Sequence, residues 1–321
     1  MNFFDVLIIL LITITALPAV ILLYSRKKRK DSWENKNKKQ SLILAVILLL
    51  GTTIITYGSF IEPQLIITNY QKIDLEKINS PIRIAVIADF QVGYFKQEKY
   101  VEKVTNRILE LNPDLVFIVG DIVDNAVYEE NEAKHLIPIK RLTDTIPTYA
   151  IHGNHEYGIG GGKSILEPAY RTGDVTAETK EIVESFGIRY LVNEIEEIKI
   201  KEEKFYLFGG DSIWAGKLDY SILKNRNENL ATIALIHNPL VVFQAYKHNI
   251  DLMLSGHTHG GQVRLPFIGP LGRVDNMLPA EWYQGWNEFE GLNFFVTSGI
   301  GESGTRARLF NPPEIVMLTV Y

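Results

Sequence analysis

Two apolar stretches at the amino end constrain this chain more than any other feature. Phe3 to Tyr24 runs for 22 residues with Asp5 as its one charge, and Leu42 to Ile61 runs for 20 residues with none. About 20 apolar residues in a helix match the thickness of a bilayer core, and the Thr, Gly and Pro18 inside these runs are tolerated there. The pattern predicts a membrane anchor over residues 1–61 made of two transmembrane helices. Between them, residues 25–40 carry Arg26, Lys27, Lys28, Arg29, Lys30, Lys36, Lys38 and Lys39 against Asp31 and Glu34. Short loops rich in Lys and Arg stay cytoplasmic. The expected protein is therefore a multi-pass one of the cell membrane, with the amino terminus and everything after Ile61 extracytoplasmic. A cleaved signal peptide would carry its positive charge before the apolar run, and here the charge follows it.

The remainder is acidic. The whole chain holds 33 Lys and Arg against 38 Asp and Glu, and eight of those cations but only three of the acids precede residue 62. Such a surface is a poor background for binding a phosphate backbone, so no nucleic-acid partner is expected. The absence of cysteine excludes disulfides and thiolate metal ligands. The part after Ile61 must then fold on its core alone, and about 260 residues are enough for that.

Glu62 to Ser80 reads as a connector with short extended stretches such as Leu65 to Thr68, and residues 81–321 read as one domain. Ile82 to Ala88 is a buried strand by its nearly continuous apolar, β-branched content, and Gln97 to Leu111 sets Val101, Val104, Ile108 and Leu111 on one helical face before Pro113. Leu115–Val119, a helix over Ala126–Leu142 and Pro147–Ile151 continue the alternation, which predicts parallel strands with right-handed crossovers. A helix over Asp174–Phe186 and strands at Tyr190–Val192, Ile195–Ile200, Phe205–Phe208, Thr232–Ile236, Leu252–Leu254, Phe294–Thr297 and Ile315–Val320 follow.

Chemistry concentrates just beyond those strands. His257-Thr258-His259 places two imidazoles two residues apart, between an apolar run and Gly260-Gly261. Alone, such a pair reads as hydrogen-bonded surface histidines, and Asp121, Asp124 and Asn154 alone read as loop or cap residues. Asp89, Asp121 and Asn154-His155 each fall just after a strand, however, where open α/β sheets gather their ligands. His237 joins them. A carboxylate between two divalent cations neutralises their repulsion, while imidazoles and an amide oxygen fill the other positions without excess negative charge. Water bridging such a pair ionises near neutral pH and can attack phosphorus in line with a leaving oxygen. The donor set thus points to phosphoester hydrolysis.

Asp89-x-Gln91, Gly120-Asp121-x-x-Asp124, Gly153-Asn154-His155-Glu156, His237 and Gly256-His257-Thr258-His259, in this order, resemble the motif series of the calcineurin-like metallophosphoesterases. Glu62-Pro63, the run from His259 to Pro266 and the closing Arg308 to Glu314 are similar to the membrane-anchored bacterial branch of that family. The resemblance covers Glu62 to Tyr321. It implies an α/β fold, a four-layer αββα sandwich of two mixed β-sheets, here preceded by the two transmembrane helices. It also implies two divalent metal ions: Asp89, Gln91, Asp121 and His259 on one, with Asp121 bridging, and Asn154, His237 and His257 completing the other. His155 matches a motif histidine that is no ligand but contacts phosphate or protonates the leaving group. Gln91 departs from the pattern, since most relatives carry His there. Its harder oxygen favours Mn²⁺ or Mg²⁺ over Zn²⁺, with Fe a further option.

The implied activity is hydrolysis of a phosphomonoester, phosphodiester or pyrophosphate, and tethering favours a lipid or cell-envelope substrate on the same membrane. Two alternatives stay open. Gln91 could weaken the first site enough to leave a metal-binding scaffold or sensor, and a nucleotide-sugar lipid pyrophosphatase facing the cytoplasm is opposed only by the loop charges. Arg306 and Arg308 follow a Gly-rich turn and suit a phosphate clamp or a structural ion pair equally. The aromatic segment Met277 to Phe289, with Trp282, Tyr283 and Trp286, suits a membrane interface, a lid or ordinary core. Gly158 to Gly162 lacks the spacing of a P-loop. Oligomeric state is not legible.

Overall fold

The computed structural model describes residues 3–125, 132–160, 172–275, 277–304 and 306–321. Helices α1 (Phe3–Lys28) and α3 (Lys38–Thr56) are long and apolar enough to cross a membrane, and a short α2 (Trp33–Lys36) lies in the basic loop between them. Their packing is inverted relative to a soluble protein. Ala19 and Ala45 are fully buried between them and Thr52 donates to Thr15 across the pair at 2.9 Å, while Ile9, Leu10, Ile14, Val20, Ile47 and Leu50 face outward. Small residues and hydroxyls at a helix contact with large apolar groups outside is the arrangement that lipid, not water, favours.

Two six-stranded sheets make up the rest. The first has the order β1 (Ile67–Ile73), β14 (Glu314–Val320), β2 (Ile82–Ile87), β3 (Leu115–Val119), β4 (Thr148–Ile151), β5 (Arg189–Tyr190). The second has the order β12 (Gly285–Phe289), β13 (Leu292–Val296), β9 (Leu252–Ser255), β8 (Ala231–Leu235), β7 (Glu203–Gly209), β6 (Glu194–Ile200). A separate hairpin joins β10 (Arg264–Leu265) to β11 (Gly269–Pro270). Strands β2 to β5 run parallel, as do β7, β8, β9 and β13, whereas β14 is antiparallel to β2 and the edge strands β6 and β12 are antiparallel to their neighbours. This is the mixed, two-sheet calcineurin-like arrangement that the motifs implied.

Alternation of side chains along each strand generates the layers. Ile84 and Val86 of β2, Phe117 of β3, Leu207 of β7, Leu235 of β8 and Leu254 of β9 meet in the central core between the sheets. Ala85 and Ile87, one residue out of phase, face instead the helices α4 (Glu98–Leu111) and α6 (Thr176–Ser185) on the outside of the first sheet. Ala234 and Met253 similarly face α7 (Val242–Ala245) outside the second. Helix α4 buries Val101, Val104, Ile108 and Leu111 as its periodicity predicts, and Asn112 ends it in the left-handed region before Pro113.

Two segments differ from the sequence expectation. Residues 67–73, read as part of a connector, form the edge strand β1 in full parallel register with β14. Of the helix expected over Ala126–Leu142, residues 126–131 lie outside the described residues. From Glu132 to Ile139 the chain is a 3₁₀ helix, with only Lys140–Thr143 (α5) α-helical. Pro138 lacks the N–H that an α-helix interior needs, which explains the tighter turn. Part of the Gly158–Gly162 loop is likewise outside the described residues.

The ends of the helical pair are fastened to the sheets. Gly58, in the turn after α3, accepts from Arg308 N at 2.8 Å; Lys96 Nζ donates to Pro63 O at 3.0 Å; Glu62 Oε1 accepts from Asn311 N at 2.5 Å. Asp5, in the first turn of α1, pairs with Arg306 at 2.6 Å. Because Phe117 is fully buried between both sheets, Phe117→Ala should cost about 3–5 kcal/mol. Thermal unfolding of the detergent-solubilised chain measures this, and an unchanged midpoint would contradict the two-sheet core.

Candidate metal centre

The carboxyl ends of strands from both sheets converge on one buried cluster. Asp89 follows β2, Asp121 follows β3, Asn154 follows β4, His237 follows β8, and His257 and His259 follow β9. Their side chains are essentially removed from water. The backbone bends sharply to aim them: Asp89, Gln91, Asp121, His257 and His259 all have positive φ, between 45° and 70°. Non-glycine residues adopt this region at a cost, and strain of this kind collects where geometry serves a site. Gly153 is obligatory for the same reason, because a Cβ there would collide with the Asp121 carboxylate.

Two donor groups share Asp121. Asp121, His237 and His257 bring ligand atoms within 4.8 Å of one another, and so do Asp89, Asp121 and His259. His237 Nε2 lies 3.0 Å from Asp121 Oδ2 and 3.8 Å from Asp89 Oδ1, and His259 Nε2 lies 3.4 Å from Asp89 Oδ1. Asn154 donates its amide N–H to Ile159 O, which leaves Oδ1 directed at His257 Nδ1, 2.8 Å away. Gln91 turns its amide toward His259 and His155, at 3.3 and 3.4 Å. All seven residues that the motifs single out as ligands are thus brought together.

The residues fit metal ions. Buried His237 Nε2, His257 Nε2 and Gln91 Oε1 have no hydrogen-bond partner among the described residues, and unmatched buried polar atoms converging on one point call for a cation. The outward ring nitrogens, by contrast, are engaged. His237 Nδ1 donates to Val119 O at 2.7 Å and His259 Nδ1 to Gly301 O at 3.3 Å. A carbonyl can only accept, so Nδ1 carries a proton in each ring and Nε2 is the nitrogen left to face the cluster, the one a metal would take.

The electrostatics of the cluster's own side chains express the same demand for positive charge. Burial raises the Asp89 carboxyl to about 7, with Asp121 adding to the rise against the pull of His237. Burial also opposes ionisation of Asp121, but His237 and His155 outweigh it and hold this carboxyl well below the ordinary range. His237 is pushed up to about 10 because Asp121 and Asp89 overcome its burial. His257 falls to about 3 through burial and the neighbouring charge of His237. The buried carboxylates thus draw positive charge to this point, which a divalent cation would supply.

His155 stands at the edge of the cluster, part-exposed to a cavity of about 510 Å³. Its Nδ1 donates to Asp124 O at 2.6 Å, while Nε2 lies 3.9 Å from Asp121 Oδ2 and 3.3 Å from Ser303 Oγ. Burial works against its charge, yet Asp121 and Asp124 keep its pKa above the usual value, so the imidazolium is favoured. Asp124 meets His155 and not the ligand cluster. Glu156, fully buried, accepts from Ile122 N at 2.6 Å and Gly153 N at 2.7 Å, clamping the loop that bears Asp121 to the one that bears Asn154.

The two arginines separate. Arg306 lines the cavity, lying over the Phe95 ring and paired with Asp5. Arg308 is fully buried and donates to the carbonyls of Ser298, Gly299, Gly301 and Asn311, so the structure gives it no access to the cavity. Trp282 packs on Phe243, Phe289 and Phe294, and Tyr283 is fully buried, which makes this aromatic segment core and not lid. Phe4 and Ser303 of the cavity wall carried no sequence signal, because nothing local marks the first turn of α1 as a neighbour of His155.

Residues 82–261 match the family model described as calcineurin-like phosphoesterase. The chain belongs to the calcineurin-like metallophosphoesterases, a dimetal-dependent family whose members support assignment as a phosphoesterase hydrolase. It is 27% identical to the metallophosphoesterase YkuE of Bacillus subtilis (strain 168), across 82% of this chain and 88% of that one. It is 30% identical to phosphodiesterase YaeI of Escherichia coli (strain K12), across 74% of this chain and 82% of that one. Among solved structures it is similar to TT1561 of Thermus thermophilus, at 10% identity and a TM-score of 0.43, covering 70% of this chain and 92% of that one.

Glu156→Gln would set an amide N–H against a backbone N–H inside the clamp, a mismatch worth about 1–3 kcal/mol. The thermal midpoint should fall accordingly, and metal affinity with it as the two loops part. A variant unchanged in both would refute the clamp.

Proposed function

We propose that this protein is a membrane-anchored hydrolase that cleaves a phosphoester bond at a dinuclear metal centre. The observation that carries the reading is the sharing of buried Asp121 between two donor groups, each short of positive charge. Asp89, Gln91, Asp121 and His259 are assigned to one ion, and Asp121, Asn154, His237 and His257 to the other. Bound divalent ions supply positive charge to the phosphoryl oxygens and make hydroxide available at neutral pH. The oxygen of Gln91 in place of an imidazole favours Mn²⁺ in the first position.

The chain's own groups do the rest. Asp121 fixes the spacing of the two donor groups. His155, outside both and open to the cavity, hands the proton on Nε2 to the departing oxygen, while the Asp124 carbonyl on Nδ1 holds the ring in place. Arg306, on the cavity wall, is assigned to a phosphate oxygen of the substrate. The outward apolar faces of α1 and α3, together with the cytoplasmic preference of the basic loop, support a catalytic domain held outside the cytoplasm, and a substrate of the lipid or cell envelope.

Hydrolysis of bis-p-nitrophenyl phosphate by the purified chain with Mn²⁺ tests the reading. Turnover should stop with a chelator, return with Mn²⁺ and be abolished in Asp121→Asn. His155→Ala should lower kcat by about 10²–10⁴-fold with little change in metal content. Full activity in Asp121→Asn would sink the dinuclear assignment.

A further inference from the structure

Among the described residues, four exposed apolar side chains outside the two long helices gather on one hairpin and its neighbour. Phe267 is entirely exposed, Ile268 is 69% exposed, and Leu271 and Phe310 are 55% and 60% exposed. Phe267 forms the turn between β10 and β11 at φ 68°, a conformation that costs a bulky residue energy and holds the ring away from the fold. Water alone gives no reason to display such a surface, and clusters of this kind mark a contact with a partner or a membrane.

Position says which. Arg264 N donates to Leu309 O and Leu309 N to Gln262 O, so the base of the hairpin is tied to the strand-like segment at 308–309. Arg308 N of the same segment donates to Gly58 O, at the end of the second apolar helix. The hairpin therefore springs from the point where that helix leaves the membrane. The four steps from Val263 to Phe267 reach at most about 13 Å at the rise of an extended strand, a distance comparable to a headgroup layer.

The cavity lies at the same level. One wall is the base of this hairpin, through Gln262, Gly272 and Arg273, and another is Phe4 in the first turn of α1 with Arg306 beside it. A cavity walled by the first turn of a membrane-crossing helix opens at the bilayer surface. Its rim combines guanidinium groups with an apolar projection, which matches an anionic headgroup whose chains stay in the bilayer.

We propose that the β10–β11 hairpin inserts Phe267 and Ile268 into the leaflet that the anchor helices leave, setting the cavity mouth among lipid headgroups so that the centre takes the phosphoester of a membrane lipid. This rests on the phosphoesterase reading for its chemistry and on α1 and α3 as membrane spans for its geometry.

The lack of cysteine makes the test clean. The full chain, with Phe267→Cys or Ile268→Cys carrying a nitroxide, is reconstituted into phosphatidylcholine–phosphatidylglycerol vesicles. Glu228→Cys, at the amino end of β8 and so opposite the cavity edge, is the reference. Labels at 267 and 268 should collide more with oxygen than with a water-soluble nickel chelate, and the label at 228 the reverse. Water-like behaviour at both hairpin positions, or dipolar broadening from a second copy on the same face, would overturn the insertion.

In the double variant Phe267→Asp with Ile268→Asp, hydrolysis of soluble bis-p-nitrophenyl phosphate should be unchanged, while hydrolysis of a phospholipid in vesicles falls by about tenfold or more. Equal loss on both substrates, or loss on neither, would overturn the lipid assignment. Should the unaltered protein hydrolyse neither substrate, the phosphoesterase reading falls, and with it the lipid assignment, while the nitroxide labels decide the insertion independently.

Discussion

Everything in this structure is arranged around one buried carboxylate at the seam of two sheets. Asp121 leaves β3 of the first sheet and meets His237 from β8 and His257 beyond β9 of the second. A carboxylate so placed would be costly without compensating charge, and each loop around it supplies some part of that compensation. His155 N donates to Asp121 Oδ1, His257 N donates to Asp89, and Glu156 draws the β3 and β4 loops together. The central core of Ile84, Phe117, Leu235 and Leu254 fixes how the sheets face each other, and so fixes this meeting point.

Much of this was legible in the sequence because the two kinds of signal coincide. Runs such as Ile82–Ala88 and Leu115–Val119 announce strands buried on both faces, and candidate metal-ligating residues stand just after them. Strand β1 escaped notice for the opposite reason. It is a half-exposed edge strand in which Thr68, Asn69, Gln71 and Lys72 dilute the apolar pattern, and only its pairing with β14 defines it. Arg308 suited a phosphate clamp and a structural ion pair equally, because its burial under four carbonyls is a property of the fold, not of its neighbours in sequence. Trp282 and Tyr283 left membrane interface, lid and core open for the same reason, whereas the exposed apolar surface, Phe267 to Leu271, is too short to show any periodicity.

The long apolar helices and the two-sheet domain are mechanically continuous. Lys96 links Pro63, just beyond the second long helix, to Glu302 on the cavity wall, and Arg308 lies against the same carboxylate. Burial lowers the Lys96 ammonium to about 8 even though Glu302 works to raise it, so this link is maintained against a desolvation cost. Together with Asp5 and Arg306, it means that the two long apolar helices are built into the domain, and Phe4 of α1 completes one side of the cavity. A domain cut free of them would keep its candidate metal ligands but not the same entrance.

The sharing of Asp121 is the central claim, and Mn²⁺ binding followed by electron paramagnetic resonance tests it most directly. Two ions per chain, their spins coupled through a common ligand, are expected, with loss of that coupling in Asp121→Asn. One ion per chain, or two ions that behave as isolated Mn²⁺ in the unaltered protein, would contradict it.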